Sequence, residues 1–139
     1  KRNKVDYSTY NPATEKLSHF LDHEMALLIG DADFDIDAEI DLFKKTFDFL
    51  ANVIGDNAFK KYNAEKEKFE GPFSNTSFEA VLVGIAENLD ALQDKDVLSM
   101  IKAVYTQDKF KEYAERGTRV INRFRGLNEF SREYFSNAN

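Results

Sequence analysis

Leucine, phenylalanine, isoleucine and valine recur along most of this chain at intervals of three and four, the period that gathers side chains on one side of an α-helix. Asn11-Pro12 supplies a start signal, Asn as cap and Pro at the first helical position. Leu17, Phe20, Leu21, Met25 and Leu28 follow at helical spacing, and Gly30 is a natural stop, which predicts a helix over about 12–29. Ile36, Ile40, Phe43, Phe47, Leu50 and Ile54 then form a heptad-like seam, with Leu42, Phe49 and Val53 as a second stripe beside it. That pattern predicts one long central helix with neighbours on two sides, ended by Gly55. A further short helical turn is expected at 56–59. Residues 60–75 are polar, contain Gly71-Pro72 and read as a loop.

Ser74 and Asn75 are placed to cap a helix bearing Phe78, Val81, Leu82, Ile85, Leu89 and Leu92. After a break near 94–96, Val97, Leu98, Ile101 and Val104 predict another helix. Thr106 is a candidate cap for a short one with Phe110 and Tyr113. Gly117 breaks the pattern, and Thr118 opens a last helix carrying Val120, Phe124, Leu127 and Tyr134. Outside the acidic stripe described below, no strand-like alternation of any length appears. The expectation is an all-α fold: a single compact bundle of five to seven helices over 12–139, preceded by an extended lead-in over 1–11.

Composition narrows the chemistry. With 139 residues the chain suits one domain and buries enough surface for a core. The absence of cysteine excludes disulfides, thiolate metal sites and thiol catalysis, and fits a reducing, cytoplasmic setting. Thirteen Phe and six Tyr, with no Trp, supply core volume. No apolar run approaches the ~18 residues needed to span a bilayer, so no membrane role is expected. No basic-then-apolar leader opens the chain, and its first residue is Lys rather than Met, which suggests a fragment or a processed chain.

Charge is unevenly distributed about a net −6. Residues 1–115 hold 14 basic against 23 acidic side chains, whereas 116–139 hold five Arg against two Glu. Arg116, Arg119, Arg123 and Arg125 are therefore candidate contacts for phosphate or nucleic acid, since the guanidinium fork matches phosphate oxygens. The competing expectation is that they and Arg132 pair with acids of the same domain. That expectation is favoured by the negative balance of the rest of the chain.

Two other groups invite a chemical reading. Asp31, Asp33, Asp35 and Asp37 alternate like the start of a calcium loop, but Ile36 stands where that loop needs Gly and Leu42 where it needs Glu. Acids clustered before a helix more simply cap it and complement its dipole. His19 and His23, four apart, share the spacing of paired metal ligands, yet both lie beside the apolar stripe, where solvent-facing residues belong. No Gly-x-Ser-x-Gly, phosphate-binding Gly-Lys-Ser/Thr or Gly-x-Gly-x-x-Gly occurs. No catalytic residue, metal site or cofactor is therefore expected.

Three ordered stretches carry a family resemblance. They are Ile54-Gly-Asp-Asn-Ala-Phe-Lys-Lys-Tyr62, Asn75-Thr-Ser-Phe-Glu-Ala-Val-Leu-Val-Gly84, and Gly117-Thr118 followed by Val-Ile-Asn-Arg123-Phe. With Leu17-Ser-His-Phe-Leu-Asp-His-Glu-Met25 upstream, they resemble the helical C-terminal part of the GmrSD-type restriction-endonuclease N-terminal domain family, over about residues 14–135. The resemblance implies a prokaryotic protein of defence against foreign DNA. It also implies a ParB/sulfiredoxin-like α/β half bearing an Asp-Gly-Gln-Gln-Arg signature linked to nucleotide hydrolysis. That signature does not occur here, and no histidine lies beyond position 23.

The leading expectation is a helical scaffold or regulatory segment of an NTP-dependent nuclease, without an active site of its own. Its partner would be the catalytic α/β half of the same protein, with DNA contacted through the whole and a homodimer as a further option. The alternative is a free-standing protein-interaction or dimerisation module, suggested by more apolar helix surface than one domain buries. Nucleic-acid binding by the arginine cluster alone is a third.

Overall fold

The computed structural model describes Tyr7, Tyr10, Asn11 and residues 16–137. Among these residues there are six α-helices and one two-stranded hairpin: α1 (Leu17–Gly30), α2 (Ile36–Ile54), β1 (Lys61–Asn63), β2 (Lys68–Glu70), α3 (Asn75–Glu87), α4 (Val97–Val104), α5 (Asp108–Ala114) and α6 (Val120–Ser136). The all-α bundle is as expected. None of its helices is long and apolar enough to cross a membrane.

Local chemistry explains most of the boundaries. Asp35 caps α2 by accepting from the Ala38 N–H at 3.0 Å, and Asp37 and Glu39 sit in the first turn, where they complement the helix dipole. Ser74 does the same for α3 through the Ser77 N–H. Asp96 caps α4 twice, accepting from the Ser99 N–H at 3.1 Å and from the Ser99 hydroxyl at 2.7 Å. These hydrogen bonds hold the Asp96 carboxyl below its ordinary pKa, the Ser99 hydroxyl contributing most. Gly117 takes a φ of 98°, open only to glycine at low cost, and so separates α5 from α6.

Other expectations are corrected. The first helix starts at Leu17, because Lys16 is extended (φ −90°, ψ 148°); Pro12 and positions 13–15 lie outside the described residues, as does most of the lead-in. From that lead-in, the Tyr7 and Tyr10 rings pack on Phe20, 5.2 and 4.6 Å between centroids. Thr106 does not cap α5: its hydroxyl donates back to the Ala103 carbonyl, and Gln107 precedes the helix without a side-chain cap. Thr118 does not open α6 either, which begins at Val120 after an extended Arg119. The third helix ends at Glu87, and Leu89 and Leu92 reach the core from the turns that follow.

The expected loop at 60–75 contains the hairpin, antiparallel with Tyr62 opposite Phe69. Its rings lie 4.9 Å apart, and the Asn63 side-chain amide donates to Glu70 across the strands at 2.8 Å. The Tyr105 hydroxyl fixes the hairpin to α4 by donating to the Lys60 carbonyl. Burial raises the pKa of that phenol, as it does for Tyr134, whose hydroxyl donates to the Met100 carbonyl.

The most extensive helix contact in the molecule is between α3 and α6. It depends on Gly84, where a Cβ would run into the Ser131 carbonyl; Gly126 serves the neighbouring α5–α6 contact, where a Cβ would run into the Tyr113 ring. The Ser131 hydroxyl takes up the Gly84 N–H at 2.9 Å, so a fully buried serine sits in the seam with a partner. Around this seam Ile85, Leu127, Val104, Leu92 and Phe135 are essentially without solvent contact.

The long helix α2 packs differently along its length. Leu50 is buried against the core and Phe49, Val53 and Ile54 flank it. Toward the N-terminal end, Ile36, Ile40 and Phe43 of the same seam are 61%, 45% and 60% exposed. On α1 only Phe20 is buried, whereas Leu21, Met25 and Leu28 from the expected core stripe, together with Leu27 and Ile29, are exposed.

Candidate functional site

The C-terminal arginines divide into two groups. Arg123 faces Glu79 of α3 with two parallel bonds, Nε to Oε2 at 2.8 Å and an Nη to Oε1 at 2.9 Å. Both side chains are largely buried, 21% and 7% exposed, and the carboxylate raises the guanidinium pKa further. Arg132 contacts Glu87 through Nε at 2.9 and 3.1 Å, again largely out of solvent. The two pairs ascend together along both helices, so α3 and α6 run in the same direction with an ion pair at each end of their contact. Arg125 is more exposed, bonded to Glu129 at 3.0 Å and lying 5.6 Å from the Tyr7 ring centroid.

Arg116 and Arg119 are exposed and form no ion pair among the described residues. The four candidate phosphate contacts therefore do not converge as one cluster. Arg123 is held by Glu79, Arg125 is turned to Glu129, and only Arg116 and Arg119 flank the α5–α6 turn with open guanidinium groups. Internal pairing is what the excess of acids suggested, and it applies to Arg123, Arg125 and Arg132.

The acidic stripe behaves as helix-end chemistry. Besides the Asp35 cap, Asp31 accepts from the Asp33 N–H at 3.0 Å in the turn before α2. His19 and His23 are exposed on α1, the second with its ring edge toward Tyr10. Among the described residues no group of three or more His, Asp or Glu is arranged to hold a metal ion.

One apolar concave feature is something the sequence did not indicate. An open groove of about 550 Å³ runs between α2, α3 and α6. Ile40, Phe43 and Phe47 form one wall, Phe78, Leu82 and Val83 the other, and Phe124 closes one side. Glu79 and Glu87 lie at its edge, and both are already neutralised by arginine. Glu39 and Thr46 are the polar groups in the α2 wall, and the Thr46 hydroxyl donates to the Leu42 carbonyl one turn back. Phe43 and Phe47 are 4.4 Å apart between ring centroids, and Phe47, Phe59 and Phe78 continue the aromatic surface at 6.0 and 5.0 Å. Phe59 holds its place with a left-handed backbone (φ 63°), and its carbonyl accepts from the Ser74 N–H at the start of α3.

The stretches that carry the family resemblance meet beside this groove. Phe59 of the first touches Phe78 of the second, and Glu79 of the second binds Arg123 of the third. No family model matches the chain, and neither a curated protein nor a solved structure is significantly similar to it.

Proposed function

We propose that this chain is a helical docking segment that binds another polypeptide through the α2–α3–α6 groove and has no active site of its own. One observation carries this reading: the half of α2 that lines the groove keeps Ile40 and Phe43 largely in solvent. Groups of that size contribute roughly 1.5–3 kcal/mol each when fully buried, and a contiguous apolar surface of this kind marks an interaction site. The concave shape, the aromatic lining and the lack of unneutralised charge at its base suit the apolar side of an amphipathic helix.

A photo-crosslinking amino acid at position 43, in cells of the source organism, tests the reading. It should give discrete adducts of higher mass, while the same group at the exposed Lys111 gives none. Equal or absent labelling at both positions would contradict it.

A second reading specifies where the partner comes from. The meeting of the three motif stretches around Phe59, Phe78, Glu79 and Arg123 favours the resemblance to the restriction-type defence family. On that reading the chain is a scaffold or regulatory segment, cytoplasmic and prokaryotic, and the groove or the exposed face of α1 receives the catalytic α/β half of the same protein. DNA would then be contacted by the assembled protein. The isolated chain should give no hydrolysis of ATP or GTP above the blank; robust turnover would remove both readings.

A further inference from the structure

We infer that the occupant of the α2–α3–α6 groove is helix α1 of a second copy of this chain, so that two copies close on each other reciprocally; this rests on the docking reading above and names its partner. The chain carries both halves of such a contact. On α1, Leu21, Met25, Leu28 and Ile29 are exposed and fall about 80–180° round the helix from the buried Phe20, at about 100° per residue. Leu21, Met25 and Leu28 stand at i, i+4 and i+7, the spacing with which a helix anchors in a groove. On α2, Ile40 and Phe43 line the groove, and Ile36, one turn before Ile40 on the same face, extends its wall. The lengths agree: Leu21 to Ile29 and the α2 wall from 39 to 47 each span about 12 Å at 1.5 Å per residue. Helix α1 does not fill the groove of its own chain. Its Phe20 ring packs on Phe124 at the groove's side, 6.1 Å between centroids, and no α1 residue lines the groove.

Area supports the second copy. The four exposed residues of α1, with Ile36, Ile40 and Phe43 of α2, are between 40% and 84% exposed. At about 200 Å² for a fully exposed residue of this size they present roughly 800 Å² per copy, the area each partner contributes to a standard stable interface. The half-buried Phe47, Phe78 and Phe124 of the groove add to it. A reciprocal contact uses α1 and the groove of both copies, so it covers both apolar surfaces and closes at two. Little like charge meets in this contact, despite the net −6 of each chain. The exposed acids of α2, Asp37, Asp41 and Asp48, stand on the face of that helix opposite the groove. Of the three acids that line the groove, Glu79 and Glu87 are held by Arg123 and Arg132.

Sedimentation velocity tests the pairing. The intact chain should be a dimer at about 10 µM and should separate into free chains at about 0.1 µM. Phe43→Glu and Met25→Glu should each weaken the dimer at least about a hundredfold, because each acts twice in a reciprocal contact, with unchanged far-ultraviolet circular dichroism. The chain has no cysteine of its own, so introduced ones report which surfaces meet. A Met25→Cys chain mixed with a Phe43→Cys chain should form the mixed disulfide on mild oxidation, whereas Met25→Cys mixed with Lys111→Cys should not. A dimer that survives both glutamate substitutions, or the absence of the bridge between positions 25 and 43, overturns the inference. A chain that is monomeric at about 100 µM overturns it too. Adducts at position 43 in cells would then keep the docking reading with a different polypeptide, and their absence would remove that reading as well.

Discussion

Two helix pairs of this molecule handle apolar surface in opposite ways. Between α3 and α6 the backbones approach so closely that Gly84 has no room for a methyl group, Ser131 is fully buried and hydrogen-bonded, and an ion pair closes each end. Along α1 and the first half of α2, Met25, Leu27, Ile29, Ile36 and Phe43 are each more than half exposed. Similar side chains thus do different work. In the first pair they set the fold, because the backbones are in contact and Ser131, Glu79 and Glu87 each find a partner across the seam. In the second they stabilise this chain little, and the docking proposal assigns their apolar character to a partner outside it.

Substitutions can break or sharpen that contrast. The largest effect is expected at the buried ion pair. Arg123→Ala leaves the Glu79 carboxylate enclosed without its partner, and urea unfolding should register a loss of about 3–5 kcal/mol. Replacing both residues by leucine should recover most of it, since the cost lies in the stranded charge rather than in the absence of the pair. Gly84→Ala comes next. Its methyl group would strike the Ser131 backbone, and moving α6 away should cost about 1–3 kcal/mol with a matching drop in Tm. Ser74→Ala removes the cap of α3 and should cost about 1 kcal/mol. Phe43→Ser, on the other side of the contrast, should change stability by no more than about 0.5 kcal/mol, despite removing a whole aromatic ring.

The smallest effect is on acid stability. Asp96 and Glu70 are held below their ordinary values of 3.8 and 4.5, Asp96 mainly by the Ser99 hydroxyl and Glu70 mainly by the Asn63 amide. A depressed carboxyl stabilises the fold fully above its unfolded pKa and ceases to do so as pH falls through the folded value. Their contribution is therefore constant from neutrality down to about pH 5 and is lost below about pH 4. Asp96→Asn should flatten the acid limb of a stability-against-pH curve slightly and leave the neutral plateau's shape unchanged.

Much of the helical layout was legible because it is local. The Ser74 cap, the acids that cap α2 and the stop at Gly117 act within four residues, so spacing alone exposes them, whereas near Asp96 spacing showed a break but not the cap. The hairpin was not legible, since Lys61–Asn63 and Lys68–Glu70 are each too short to display alternation, and it stands on the Tyr62–Phe69 contact and the tether from Tyr105. Periodicity marked Leu21, Met25 and Leu28 as apolar on one side of α1 but carried no information on whether this chain covers them. The imbalance of charge pointed to internal pairing of the arginines, yet the choice of Glu79 for Arg123, 44 positions away, is a matter of how α3 and α6 cross. The groove was hidden for the same reason, being assembled from three helices that the sequence places far apart.

Hydrogen exchange of the backbone amides tests the contrast most directly. Amides of α3 and α6 should exchange slowest in the free chain, and those of α1 and of residues 36–43 fastest, because few packed groups hold them closed. If α1 and the first half of α2 are as protected as α3 and α6 in the free chain, the exposed face is part of a self-sufficient fold and the docking account is wrong.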